Sequence, residues 1–357
     1  MQTEIVNALG GLVRTIRRNS LGGIKLLKDC CLFTLSGNEN EDLLPSITSR
    51  MAESKINISF LSHLADHGEG FSITTFTTES VVEQLVCDCL KPMLKSPADP
   101  DSYSNATIIS IFPHDRQPEV AGTLIELLAR KRIHPFGLGS SPSSLSIVVR
   151  PTEAAEVIEG LFHGFDFPTY RSPYDWYAAY QGQEQVLKEI IGSYQEQVLK
   201  AFYILQEVEL DLWSVRLGKG HLPAFAEALR ELGSRDVELP FITGHRLPDP
   251  NMLFSLCLSH RQSDAVAKVF TACLAKSTAV CNGPVGLFHL HGPHFIDRYG
   301  IADAVVKALR QAAVTPVALS CTLSSISLVV NARNMDAVSK ALEKGFHVPT
   351  TRAHRTA

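Results

Sequence analysis

The strongest constraint on the fold is an internal repeat, because the sequence matches itself when it is shifted by 181 positions. The segment 143–149 (SSLSIVV) aligns with 324–330 (SSISLVV), and Ala121 meets Ala302 in the same register. No gap is needed between residues 121 and 168. A repeat of this length predicts a duplicated structural half rather than one continuous domain.

The repeat divides the chain into a first half, 1–180, and a second half, 181–357. Apolar residues at helical spacing predict a helix over 1–20. The string EQVLK occurs at 184–188 and again at 196–200, which predicts a matching helix over 183–200. This second helix would link the two halves.

Each half contains two units with the order strand, helix, strand, strand, helix. β-branched runs such as 108–112 and 145–149 predict strands, and apolar residues at helical spacing in 118–131 predict a helix. The units span about 24–100, 101–169, 202–281 and 282–350. A βαββαβ module needs a fourth strand, and the second unit of each half ends without one. We expect the segments 24–27 and 203–208 to supply these strands, because each lies directly before another strand. We therefore expect an α+β fold of four ferredoxin-like (βαββαβ) modules in two interleaved tandem pairs, related by a pseudo-twofold internal duplication.

Composition narrows the class of protein. The formal net charge is −4 and charged residues make up 20% of the chain, so no basic face for nucleic acid is predicted. No apolar run approaches the roughly 18 residues of a membrane span. The eight cysteines include no CxxC and sit mostly in apolar stretches, which predicts free thiols in the cytoplasm. No glycine pattern for a nucleotide occurs, and no cofactor is predicted.

Several segments resemble the tandem ACT-domain region of aspartokinases. They are 135–149, 324–331, the turn DRYGIA at 297–302 and the strand 56–58. The resemblance covers roughly 22–169 and 202–350 and implies interleaved ACT modules. The Lys-Phe-Gly-Gly opening of the family's catalytic domain is absent, so the resemblance is to the regulatory region without the kinase domain.

The resemblance implies a non-catalytic allosteric regulatory protein, not an enzyme, that binds a small molecule and modulates a partner enzyme. An amino acid is the expected ligand. The family also allows the chain to form a homodimer. The alternative is a structural or protein-interaction module with degenerate ligand pockets. A third hypothesis is an enzyme that uses His289, His291 or His294.

In ACT pairs the effector lies between two units, against the turn from the first strand into the first helix. Amides at a helix N-terminus bind carboxylates, which is the physical reason for this location. We expect unit one to pair with unit three and unit two with unit four, in eight-stranded sheets. The candidate ligand-binding residues are Asn38, Glu39, Asp42, Ser59, His63, Arg116, Asp297, Arg298, Tyr299 and Gly300.

Two other clusters bear on function. His289 and His291 would share one face of a strand, as metal ligands can, but a polar strand end is the favoured interpretation. The aromatic segment 170–180 contains Trp176 and four tyrosines, which predicts a packed linker or an interface. No nucleophile-elbow context accompanies any serine, so hydrolase chemistry is not predicted.

Overall fold

The structure of the protein is a computed structural model. It describes residues 19–38, 43–66, 70–93, 101–180, 201, 203–249, 251–274, 279–292, 298–322, 325–346 and 352–353. The helices expected over 1–20 and 183–200 lie outside the described residues, apart from 19–20, which form a short strand.

Strands and helices alternate along the described chain. The strands are β1 (Asn19–Ser20), β2 (Gly23–Asn38), β3 (Phe60–Asp66), β4 (Phe71–Glu79), β5 (Asp101–Phe112), β6 (Gly137–Ser140), β7 (Leu145–Val149), β8 (Phe165–Asp166), β9 (Tyr203–Gly218), β10 (Phe241–Arg246), β11 (Asn251–Ser259), β12 (Ala279–His291), β13 (Ala318–Thr322), β14 (Ser325–Asn331) and β15 (Arg352–Ala353). The helices are α1 (Leu44–Glu53), α2 (Glu83–Leu90), α3 (Pro118–Arg130), α4 (Pro151–Gly164), α5 (Leu222–Ser234), α6 (Ser263–Cys273), α7 (Ile301–Gln311) and α8 (Met335–Gly345). Residues 173–180 are also helical. None of the described helices is long and apolar enough to span a membrane.

Strands β1 and β8 form a separate two-stranded parallel sheet, and β15 pairs in parallel with β9. The other strands form one large antiparallel sheet that closes on itself. Around this ring the order is β2, β4, β3, β13, β14, β12, β9, β11, β10, β6, β7 and β5, and β5 pairs with β2 again. Closure depends on β9, which pairs with β12 on one side and with β11 on the other. Because a closed sheet leaves few exposed edges, this arrangement protects its backbone N–H and C=O groups.

The long strands β2 and β9 each serve two neighbours. In β2, Gly23–Leu27 pairs with the end of β5, whereas the segment from Cys30 onward also pairs with β4. The outer side of the first segment is covered by the helical stretch 173–180. There Trp176 Nε1 donates to the carbonyl of Ile24 at 3.1 Å and the Tyr180 hydroxyl donates to that of Leu26 at 2.8 Å. The aromatic segment is therefore packed against the sheet.

The pairing of the units differs from the expectation. Ser62 of β3 lies opposite Ser320 of β13, so unit one adjoins unit four. Gly244 of β10 lies opposite Leu138 of β6, so unit two adjoins unit three. The expected pairing of one with three and two with four, in eight-stranded sheets, is wrong. The second strand of unit one also begins at Phe60 rather than at residue 56.

The helices cover the outer face of the ring in two groups. Helices α3, α4, α5 and α6 share one apolar core with the sheet, and α1, α2, α7 and α8 share another. The side of the sheet that faces away from the helices holds two smaller cores built from strands and their flanking residues. The interior of the ring is therefore filled by side chains.

Helices α3 and α5 bring the two halves into close contact. A Cβ added at Gly122 would lie 2.8 Å from the backbone oxygen of Ala226, closer than real Cβ atoms approach. Glycine here lets the two helix backbones meet.

We expect Gly122→Ala to lower the free energy of unfolding by about 1–3 kcal/mol, because overpacking against backbone exceeds the gain in helix propensity. Gly345→Ala is the matched control, since its nearest new neighbour, Ala308 Cβ, is 3.7 Å away. It is expected to be neutral or to stabilise by up to about 1 kcal/mol. Urea denaturation of both variants measures the difference, and equal behaviour would contradict the close contact.

Candidate ligand site

A cleft lies where the outer helices of the two halves meet. Its walls are the C-terminal part of α1 with the following stretch 56–58, and the start of α7. The polar lining comes from Thr48, Asn57, Arg298 and Asp303, and Met51 contributes apolar surface. We call this the α1–α7 cleft.

The start of α7 has the geometry of an anion site. Gly300, at the N-cap, has a φ of 85°, a left-handed conformation that glycine adopts without strain. The amides of the first helical turn carry the positive end of the helix dipole. Asp303, in that turn, is buried and its Oδ2 lies 2.6 Å from Lys307 Nζ. The cleft thus offers both a carboxylate and helix-terminal amides.

The cleft is narrow in this structure. Its enclosed volume is about 10 Å³, which is the space that one water molecule needs. A larger ligand therefore enters only if α1 and α7 move apart. Since α1 belongs to the first half and α7 to the second, such a ligand would change how the halves pack.

The equivalent place in the other pair of units is sealed. The shift of 181 positions relates Asp297 to Arg116, and Ile58 to Leu239. Leu239 N donates to Arg116 O at 2.8 Å, which joins the turn before α3 to the stretch before β10. Arg116 has a φ of 58°, and this left-handed backbone directs the chain into the contact. The two related places therefore differ, since one is a cleft and the other is closed.

Arg116 seals this place through a buried carboxylate. Its Nη1 and Nη2 donate to Glu207 at 3.0 and 2.6 Å, and Glu207 is only 2% exposed. His289 Nε2 lies 3.1 Å from Glu207 Oε1. Burial raises the pKa of Glu207, but contacts with His289 and Arg116 outweigh burial and hold this pKa below its usual value. Glu207 is therefore ionised at neutral pH.

His114 supports the same turn. Its Nε2 donates to the carbonyl of Ser141 at 2.6 Å, which leaves Nδ1 to accept from the amide of Arg116 at 3.2 Å. Burial is the main cause that lowers the pKa of His114. The neutral imidazole thus holds the turn that presents Arg116.

The predicted ligand residues do not converge on one place. Arg298 and Gly300 line the α1–α7 cleft, and Tyr299 lies between them. Arg116 lies at the sealed place. The backbone of Asn38 ends β2 opposite Phe71. Three further candidates lie outside the described residues: Glu39, Asp42 and Asp297.

Ser59 lies directly before β3, and His63 lies within β3. Ser59 lines a separate space of about 10 Å³ beside Phe60 and Lys25. His63 is fully buried in β3, and its Nδ1 is 2.8 Å from Thr74 Oγ1. Neither residue reaches the cleft lining, so both are placed by packing within the sheet. Thr48 and Asp303 were missed, since only a known helix pairing could indicate them.

The histidines proposed as metal ligands are engaged with hydroxyls. Nδ1 of His289 lies 2.9 Å from Ser327 Oγ, and Nδ1 of His291 lies 2.7 Å from Ser325 Oγ. Among the described residues no group of three or more His, Cys, Asp or Glu side chains could hold a metal ion. His294 lies outside these residues.

Two buried histidines make stability depend on pH. Burial lowers the pKa of His63 and of His245 to about 3 each, and His63 also lowers that of His245. The unfolded histidines titrate near 6.5, so the unfolded state binds more protons below that pH and stability falls as pH falls. Each histidine is expected to lower the free energy of unfolding by about 2 kcal/mol between pH 7 and pH 5.

The variant His245→Gln is expected to reduce this loss by about 2 kcal/mol, because one of the two titrating groups is removed. The exposed His163 supplies the control variant His163→Gln, which is expected to leave the loss unchanged. Urea denaturation at pH 7 and pH 5 measures both. An equal loss in wild type and His245→Gln would contradict a neutral, buried His245.

The chain shares its fold with a protein of known structure. No protein-family model and no curated protein matches the chain. The solved aspartate kinase from Synechocystis matches 95% of this chain and 58% of that chain, with a TM-score of 0.75 and 14% identity. The chain thus has an aspartokinase-like fold and spans less than two thirds of that enzyme.

Smaller matches accompany this one. The regulatory subunit of aspartate kinase from Thermus flavus matches 42% of this chain and 100% of that chain, with a TM-score of 0.37 and 16% identity. E. coli aspartokinase III in complex with lysine and aspartate matches 43% of this chain and 35% of that chain, with a TM-score of 0.32 and 15% identity.

The whole-chain match corrects three predictions. The chain was expected to resemble a regulatory region without a kinase domain, to be a non-catalytic regulator of a partner, and not to be an enzyme. These predictions are wrong, because the chain with which this protein shares its fold over 95% of its length is that of an enzyme, an aspartate kinase. The alternative of an interaction module is not better supported.

Proposed function

We propose that this protein is part of an aspartate-kinase-type enzyme and that the α1–α7 cleft binds its small-molecule effector, an amino acid. The observation that carries the proposal is the fold shared with an aspartate kinase over 95% of the chain. The cleft is the proposed location of the effector site because it lies between the two halves. A ligand there would alter their packing, which is how an effector site is coupled to a distant one.

We further propose that the ring consists of four ferredoxin-like ACT modules, at about 24–100, 101–169, 202–281 and 282–350, in two interleaved pairs. The halves would be 1–180 and 181–357. Support comes from the strand pairing, since Gly23–Leu27 runs beside β5 and the start of β9 runs beside β12. Each of these segments would complete the second module of its half.

The chemistry of the cleft suits an α-amino acid. The amides after Gly300 are placed to bind a carboxylate, and Arg298 adds a positive charge beside them. Asp303 is placed to accept hydrogen bonds from an ammonium group in exchange for Lys307. Of the residues predicted to bind ligand, we retain Arg298, Tyr299 and Gly300 for this site. Of the other predicted residues, Ser59, His63 and Arg116 do not line the cleft. Glu39, Asp42, Asp297 and the side chain of Asn38 lie outside the part of the chain that the structure describes.

Partners and location stay predictions. A homodimer and a partner subunit are both compatible with an enzyme of this fold, and no nucleic acid or membrane partner is proposed. The cytoplasm is the predicted location because the thiols are free: Cys30, Cys257 and Cys321 are buried and unpaired by disulfides.

Thermal unfolding against the twenty amino acids tests the cleft. A ligand at about 100 times its dissociation constant adds roughly 2.7 kcal/mol to the free energy of unfolding. We expect one amino acid to raise the midpoint of thermal unfolding of the wild-type protein. The same amino acid is expected to have no such effect on Arg298→Met. Arg333→Met, at an exposed turn outside the cleft, is the matched control and is expected to respond like wild type. If every shift survived Arg298→Met, or if no amino acid gave a shift, the effector site would be refuted.

A further inference from the structure

A second, larger cavity lies at one end of the sheet ring. Its volume is about 400 Å³, within the range of about 300–1,000 Å³ that is typical of small-molecule sites. Both halves contribute, with Ser36 and Phe71 from the first and Arg216 and Asp249 from the second. We call it the ring-mouth cavity. It shares no described lining residue with the α1–α7 cleft.

The floor of the ring-mouth cavity is apolar. Ile73 and Leu247 belong to an inner core of the ring, and Phe71 packs against the same core. Ile73 is almost fully buried, whereas Phe71 is partly exposed toward the cavity. Covering the exposed part of Phe71 would remove apolar area from water, which favours a ligand with an apolar body.

Among the described residues, the rim carries one positive and one negative charge. Arg216 Nη2 donates to Asp249 Oδ2 at 2.9 Å, and both side chains are about two-fifths exposed, at 43% and 40%. Asp249 is also held by Asn251, whose backbone N and side-chain Nδ2 donate to it at 3.2 and 2.8 Å. The carboxylate is therefore fixed in position while its charge faces the opening.

Such an exposed ion pair contributes little to stability, because water screens it. A ligand that brings its own carboxylate and ammonium can replace both halves of the pair without leaving a charge unmatched. The planar guanidinium of Arg216 suits a carboxylate, since it can donate two parallel hydrogen bonds.

We infer that the ring-mouth cavity binds a small zwitterion with an apolar side chain. Its carboxylate would pair with Arg216, its ammonium with Asp249, and its side chain would cover Phe71, Ile73 and Leu247. This site is additional to the proposed effector cleft. Because its walls come from both halves, occupancy would bridge them at the end of the ring.

Titration calorimetry of the full chain with L-leucine and L-phenylalanine tests the inference. We expect saturable binding, and we expect Arg216→Gln and Asp249→Asn each to weaken it at least tenfold. 4-Methylpentanoate, which lacks the ammonium group, and isoamylamine, which lacks the carboxylate, are expected to bind at least tenfold more weakly than leucine.

Two matched variants separate binding at the ring-mouth cavity from binding elsewhere on the chain. Arg261→Gln removes an exposed arginine whose partner is Glu209, away from the cavity, and is expected to bind like wild type. Arg298→Met, in the α1–α7 cleft, is likewise expected to leave this binding unchanged. Circular dichroism checks that each variant folds. Arg216→Lys is a second variant at the same position, which keeps the positive charge but loses the two parallel hydrogen-bond donors. Absence of binding up to about 10 mM, or binding that Arg298→Met removes and Arg216→Gln does not, would overturn the inference.

Discussion

Arg116→Met is expected to lower the free energy of unfolding by about 3 kcal/mol, the low end of the range for breaking a buried ion pair. The loss arises because Glu207, 2% exposed, is left without its two strongest donors inside the ring. Arg116 is itself 26% exposed, and His289 stays near the carboxylate, which limits the effect. Guanidinium chloride denaturation at pH 7 measures it.

The double variant Arg116→Met/Glu207→Leu separates charge burial from packing. Replacing both partners by apolar side chains is often neutral, so the double variant is expected to recover most of the stability lost in the single one. Arg261→Met is the control, because its pair with Glu209 is exposed on both sides and is expected to contribute less than about 1 kcal/mol. A loss below about 1 kcal/mol in Arg116→Met would contradict a buried, ionised Glu207.

Phe60→Ala is expected to cost about 3–5 kcal/mol, the usual range for a buried aromatic side chain. The ring of Phe60 is fully buried inside the sheet, beside Leu32, Ile108 and Val148. It lies over β6, where a Cβ at Gly139 would come within 3.2 Å of it. Its loss would therefore leave a cavity at the centre of the ring, where few neighbours can relax inward.

Thermal and urea unfolding of Phe60→Ala measure this loss. Tyr174→Ala is the matched control, since Tyr174 is 80% exposed and its removal is expected to change stability by no more than about 0.5 kcal/mol. If Phe60→Ala behaved like Tyr174→Ala, the interior of the ring would hold water rather than packed side chains.

Local features of the fold could be predicted from the sequence because they depend on residues close together in the chain. The run at 145–149 is strand β7, and apolar spacing at 118–131 corresponds to α3. The segment 24–27 pairs with β5, as its position before another strand suggested. Such local patterns predict the strands and helices themselves, and with them a mixed fold of strands and helices.

The choice of partner between distant strands could not be predicted in this way. β3 pairs with β13 and β6 with β10, although each edge offers the same backbone donors and acceptors to any strand. Closure of the ring through β9 depends on the combined twist and length of all its strands, which no local pattern records.

The candidate site was only partly predictable for the same reason. Arg298 and Gly300 line the cleft because they belong to the turn into α7, and the turn can be read locally. Thr48 and Asn57 join them through the packing of α1 against α7, which is a long-range contact. Arg116 occupies the related turn, but Glu207, which lies 91 residues further along the chain, converts it into a seal.

Aspartate-dependent ATP turnover tests the central proposal most directly. The protein would be isolated from its own source, with the subunits that accompany it, and ADP formation would be followed with and without L-aspartate. We predict aspartate-dependent turnover that changes by at least about fivefold with the amino acid that binds the α1–α7 cleft, and that loses this response in Arg298→Met. Turnover no higher than in a preparation from a strain that lacks the protein would contradict the proposal that it is part of an aspartate-kinase-type enzyme.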